Sequence, residues 1–251
     1  MTNAKQLSRR DFLRWGAGAS LGLLLSACGL DRTASPPTAP TNTRPLGTTP
    51  PSTATRTPVI VPTPTLSACM ARASFGDPAE SPYVLPYPVG KSYRVSQSYC
   101  FPEGGHRNQL AYDFRMPIGD DVTAARAGVV RDLRDETPDR GALEDNGLHN
   151  YVLIEHADGT TAFYAHLKQY GIVVQVGEYV EIGQWIADSG NSGLTVHPHL
   201  HFGVYASYPV VDGRDVPVNF RNTEGRLDAR GGLIEWVFYR ALPYDPEEMS
   251  E

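Results

Sequence analysis

Glycine sets the grain of this chain. Gly128, Gly159, Gly177, Gly183 and Gly190 cut residues 122–205 into runs too short for ordinary helices. The runs are rich in β-branched and aromatic residues, as half-buried strands require. Residues 122–131 read as a β-like run broken at Gly128, residues 150–156 as a strand, and residues 161–166 as its return. Asp158-Gly159 between the last two is a hairpin signal. Residues 173–176 and 199–205 extend the strand set, and the glycines at 177, 183 and 190 mark tight turns. A helical period is visible only at residues 232–239. Residues 102–105 and 132–148 read as loops, the second rich in charge and glycine. A long loop beside a site shapes its groove. The expectation is an all-β domain.

The beginning of the sequence has a different character. Ser8-Arg9-Arg10-Asp11-Phe12-Leu13 precedes an apolar run over residues 16–25, the pattern of a twin-arginine export signal. The run is shorter than the roughly 20 residues of a membrane span. It ends in Leu25-Ser26-Ala27-Cys28, similar to a bacterial lipobox. This predicts a signal peptide over 1–27 and acyl chains on Cys28 that anchor an exported lipoprotein to a membrane. Residues 28–66 then form a Pro/Thr/Ser-rich linker with too few large apolar residues to fold, stiffened by its prolines. Residues 67–251 are long enough for one domain with a real core. With Cys28 lipidated, Cys69 and Cys100 are the remaining pair, and an oxidising compartment favours a disulfide between them over two free buried thiols. Loss of 1–27 removes Lys5, Arg9, Arg10 and Arg14 against Asp11, so the net charge of −6 becomes about −9. An acidic surface argues against nucleic acid as a partner. A monomer is expected.

All seven histidines lie between residues 106 and 201. In His199-Leu200-His201 the period of two sends both imidazoles to one face of a strand. His106, Asp113 and His166 are the available partners upstream. His106, Asp113 and His201 would give a zinc ion two imidazoles and a carboxylate, with a position left for water. His166 and His199 would then manage protons and steady an oxyanion as metal-activated water attacks an amide. For His149 and His156 the expected role is that of hydrogen-bonded core residues, and for His197 a loop or supporting position. Asn150, Tyr164 and Asn191 stand equally as groove-lining or structural residues. The glycine pattern over 177–190 also suits a biotinyl or lipoyl carrier hairpin, but no lysine sits in the tight turn.

Over residues 82–205 the chain resembles the lysostaphin/LytM-type zinc endopeptidases. The resemblance is carried by Leu85-Pro86-Tyr87-Pro88, Val95-Ser96-Gln97, Ala111-Tyr112-Asp113-Phe114, Met116-Pro117-Ile118-Gly119, Ala124-Ala125-Arg126-Ala127-Gly128, Tyr164-Ala165-His166-Leu167, Gly190-Asn191-Ser192-Gly193 and His199-Leu200-His201-Phe202. It implies an antiparallel β-sheet sandwich of the duplicated hybrid motif type, with a groove over one sheet. It also implies one Zn2+ on His106, Asp113 and His201, catalysis by His166 and His199, and cleavage of peptidoglycan cross-bridges. The alternative is a wall-associated regulator that binds and activates another hydrolase. His106 and Asp113 are seven positions apart where the commonest family form has four, and the extra residues are read as a bulge or loop.

Overall fold

The computed structural model describes residues 67–141 and 148–249. The expected signal peptide, the lipidated Cys28 and the linker lie outside the described residues, as does the centre of the expected 132–148 loop. None of the described helices is long and apolar enough to cross a membrane.

Strands dominate. In chain order they are β1 (Ser92–Gln97), β2 (Ala111–Arg115), β3 (Asp121–Thr123), β4 (Gly128–Arg134), β5 (Tyr151–Glu155), β6 (Thr161–Ala165), β7 (Leu167–Ile172), β8 (Tyr179–Val180), β9 (Trp185–Ser189), β10 (Leu200–Tyr205), β11 (Asp215–Val216), β12 (Thr223–Glu224) and β13 (Phe238–Ala241). A short α-helix, α1 (Ala68–Arg72), capped by the Ser67 hydroxyl, and a 3-10 turn (Pro78–Glu80) precede them. The large antiparallel sheet runs β12-β13-β1-β2-β10-β6-β5-β4-β8, with β11 on β10, and a small sheet runs β3-β9-β7. The two sheets share a core, as the all-β sandwich reading expected.

Alternation along the central strands sorts the two faces. Tyr112 and Phe114 on β2, Leu200, Phe202 and Val204 on β10, and Tyr164 on β6 are fully buried in the core, joined by Val122 and Ile186 of the small sheet. Phe220 packs against Phe202 and Tyr112 at ring separations of 5.7 and 5.8 Å. Burying each such side chain contributes roughly 1.5–3 kcal/mol. The residues between them, Asp113 and His201, are thereby turned to the opposite face.

Three local expectations are corrected. Residues 132–134 continue β4 rather than open a loop. A register shift between Val130 and Asp132 bulges the strand, and β8 pairs only Gly128 and Val129, so the charged continuation sits at a sheet edge, where charge is tolerated. Residues 173–176 are not a strand; the pairing falls earlier, on β7, and Val173 and Val176 are exposed as the chain enters the Gly177 turn. Residues 232–239 form no helix. Gly231 and Trp236 take left-handed backbone angles (φ 88° and 65°), and β13 begins at Phe238 to pair with β1.

Candidate metal centre

Adjacent strands assemble the site. His201 on β10 is the cross-strand partner of Asp113 on β2 and, on its other side, of Ala165 at the end of β6. His166 follows Ala165 directly, at a left-handed φ of 61° that carries it out of the strand path. Such backbone strain in a non-glycine residue is characteristic of functional positions. His106 comes from a turn ahead of β2, closed by the Gln109 N–H donating to the His106 carbonyl at 3.0 Å. The longer His–Asp spacing is therefore accommodated in a turn, with β2 itself regular.

That turn is anchored from α1. Cys69 and Cys100 are joined in a disulfide. Arg72 donates to the Asn108 carbonyl at 2.8 Å and pairs with buried Asp215 at 3.1 Å. The same Asp215 accepts from the backbone N–H of Leu110. His106 is thus held between two fixed points.

Three donor atoms converge. Asp113 Oδ1 is 3.0 Å from His201 Nδ1 and 3.1 Å from His106 Nε2, and the two imidazole nitrogens are 3.0 Å apart. All three residues are buried. Ligands about 2.0–2.1 Å from a tetrahedral zinc stand a little over 3 Å from one another, so the set fits that ion. Tautomers agree with this. His106 Nδ1–H donates to the Ser98 carbonyl at 3.1 Å, which leaves the Nε2 lone pair facing Asp113.

His199 and His166 are held the same way. The Nδ1–H of His199 donates to the His197 carbonyl at 2.8 Å, with the Thr195 hydroxyl 3.1 Å away, and its Nε2 lies 3.6 Å from Asp113 Oδ1. His166 Nδ1–H donates to the Ser192 carbonyl at 2.8 Å. Their rings stand 4.6 Å apart. Burial, reinforced by His199 and His201, pushes His166 down to about 3, so its Nε2 carries a lone pair at neutral pH. Burial also lowers His201. Burial alone would raise Asp113, but His106, His201 and His199 hold its carboxyl well below the usual carboxylate range. Burial would lower His106, but the attraction and hydrogen bond of Asp113, together with the Ser98 and Ala111 backbone contacts, raise its pKa.

The cleft over these groups measures about 400 Å³, with Gln97, Leu194, Val196 and His197 along its rim. His197, in the loop before β10, lines the cleft itself. His156 is buried, its Nδ1–H on the Ala127 carbonyl at 2.9 Å, as a core histidine should be. His149 departs from the core expectation: it is half-buried, its ring 5.5 Å from His166 and 5.6 Å from Phe163. Asn150 and Tyr164 resolve as structural. Asn150 donates to the Thr137 and Leu167 carbonyls and accepts from Thr137 N–H, while Tyr164 accepts from the Ala125 N–H. Asn191 accepts from the Thr195 hydroxyl at 3.2 Å. Ser192 enters the sequence reading only within the Gly190–Gly193 motif, without a role, and Thr195 does not enter it; the signal for Thr195 is its place in the loop before His199.

Residues 107–217 match the family model described as Peptidase family M23. The chain is 36% identical over 139 residues to the peptidoglycan DD-endopeptidase ShyA of Vibrio cholerae, covering 53% of this chain and 28% of that protein. It is 37% identical over 90 residues to lysostaphin of Staphylococcus simulans, covering 36% of this chain and 16% of the relative. A zinc containing peptidase from Vibrio cholerae, of known structure, is 29% identical with a TM-score of 0.40, covering 54% of this chain and 39% of its own. The chain spans about a third or less of the length of the first curated relatives it matches.

Proposed function

We propose that this protein, whose residues 107–217 match the model of peptidase family M23, is a zinc-dependent endopeptidase that hydrolyses peptide cross-bridges of bacterial peptidoglycan. The observation that carries the reading is the buried triangle of His106, Asp113 and His201, with two further imidazoles aimed at the same cleft. The named activity of the ShyA relative supports the choice of substrate.

His106 Nε2, Asp113 Oδ1 and His201 Nδ1 would hold the ion. Bound there, zinc would act as a Lewis acid toward water and the scissile carbonyl. The chain supplies the rest. His199 Nε2, fixed by the bond of Nδ1 to a carbonyl, is placed to accept a proton from attacking water and to return it to the leaving amine. His166 Nε2, kept unprotonated by burial, accepts a second proton or, once protonated, donates to the developing oxyanion. The rim residues Leu194 and Val196, both exposed, offer apolar surface to an extended peptide. By the same reading the protein is exported and held to a membrane through Cys28, with the catalytic domain facing the wall.

The test is digestion of purified peptidoglycan by the zinc-loaded full-length protein, with released fragments identified by mass spectrometry. New amino termini that vanish when zinc is chelated and return when it is restored are expected. An intact wall after incubation with fully loaded protein would remove the endopeptidase reading.

A further inference from the structure

Beside the metal centre, β13, β1 and β2 carry a row of side chains across the sheet. Phe238 lies opposite Arg94, and Arg94 opposite Arg115. Arg115 stands two residues beyond Asp113 on β2, so it leaves the same face of the sheet about 7 Å along the strand. Arg94, Arg115, Pro198 and Phe238 line a groove of about 510 Å³. Pro198 lies between His197 and His199, which line the metal cleft, so the two hollows share a wall.

Two like charges directly opposite on neighbouring strands are destabilising, and arginine stays charged at any physiological pH. Five other arginines have carboxylate partners: Arg72 with Asp215, Arg126 with Asp158, Arg131 with Glu155, Arg134 with Glu136 and Arg240 with Glu224. Among the described residues, Arg94 and Arg115 have none, nor do Arg107, Arg214, Arg221, Arg226 and Arg230; what sets Arg94 and Arg115 apart is that they face one another across paired strands.

Arg94 is also oriented. Its guanidinium lies 4.8 Å from the ring centre of Trp236, which is 60% exposed. Trp236 adopts a left-handed backbone (φ 65°) that an L-residue reaches only at a conformational cost, and its N–H donates to the Val95 carbonyl at 2.8 Å. A guanidinium resting on an aromatic face keeps its N–H edge free for a planar two-oxygen acceptor.

We infer that Arg94 and Arg115, with Trp236 as platform, form a subsite for a free carboxylate of the peptide substrate. Its position corresponds to about two residues of extended peptide, at roughly 3.4 Å each, from the bond held over Asp113 and His201. The inference rests on the endopeptidase reading. It specifies the substrate as an acidic peptide rather than a purely neutral bridge.

Peptidoglycan stem peptides with free carboxylates, and the same peptides amidated, test it. Binding is measured by calorimetry on the zinc-loaded full chain bearing His199→Ala, so that the peptide is not consumed. The free-acid form is expected to bind about tenfold tighter, the scale of one charge-assisted contact. Adding Arg94→Gln or Arg115→Gln should bring the two forms within about twofold, a ratio read inside each variant. Equal binding of acid and amide by the parent, or a preference that survives both arginine changes, overturns the inference. Cleavage of the same pair by the unaltered chain is scored separately: if neither form is cut while the acid still binds tighter, the endopeptidase reading fails and the subsite stands.

Discussion

His201 lies directly opposite Asp113 in the β10–β2 pairing, 88 residues later in the chain, with His201 Nδ1 3.0 Å from Asp113 Oδ1. The sheet register itself thus brings two of the three proposed ligands together. A one-residue slip would turn both side chains into the core and expose Phe202 and Phe114.

Asp113→Ala and His201→Ala are each expected to reduce bound zinc from about one ion per chain to a trace, since three protein ligands are the minimum for such a site. Elemental analysis after dialysis against buffer at neutral pH reads this directly. Near-stoichiometric zinc in either variant would show that the ion sits elsewhere.

His199→Ala is expected to keep its zinc and its fold while kcat falls by about 10²- to 10⁴-fold, the usual loss for a removed general base. Retained metal combined with lost turnover separates proton handling from metal binding. A fall in zinc content parallel to the fall in rate would make His199 a ligand instead.

Burial holds His156 down to about 4, against an ordinary value of about 6.5 in the unfolded chain. Between those values the unfolded state binds the extra proton, so stability rises with pH there. The His156 contribution is complete above about pH 6.5 and is lost as pH falls toward 4, a change of roughly 3 kcal/mol. Comparing denaturant midpoints of the parent and His156→Gln across this range should show a shallower acid loss in the variant. Parallel pH profiles would contradict the assignment.

Replacing Cys69 and Cys100 with alanine opens a closure of 31 residues, which should cost roughly 3–4 kcal/mol of stability. Because Cys100 begins the turn that carries His106, weaker zinc retention in competition with a chelator is expected alongside the lower Tm. Unchanged zinc affinity would mean that Arg72 and Asp215 suffice to hold the turn.

Asn150→Ala should cost roughly 2–4 kcal/mol, because it strands the buried Thr137 N–H and the Thr137 carbonyl, while the Leu167 carbonyl keeps its bond from the Ser192 hydroxyl. Thermal unfolding measures it. A loss below about 1 kcal/mol would indicate that water replaces the amide.

The grouping of Asp113 with His201 is legible in the sequence because the placement of both rests on a period of two. His199-Leu200-His201 and Tyr112-Asp113-Phe114 each declare a face, and the fold only had to place the faces side by side. His149 was not legible, because its approach to His166 depends on where the chain enters β5 and on a left-handed turn after β6. The β4 continuation was masked by charge: Asp132 and Arg134 look like loop residues until the bulge and the unpaired edge are seen. Residues 232–239 show the opposite failure. An apolar spacing suggested a helix, but backbone angles at Gly231 and Trp236 and the pull of β1 for an edge partner prevailed.

The central position of β10 has a kinetic corollary. This strand is paired on both sides and every one of its residues is buried, so its amides should be among the last to exchange with deuterated solvent. An ion held partly by His201 would then leave through the open cleft, by stepwise ligand exchange at a stationary frame, and its off-rate would track chelator access rather than breathing of the protein.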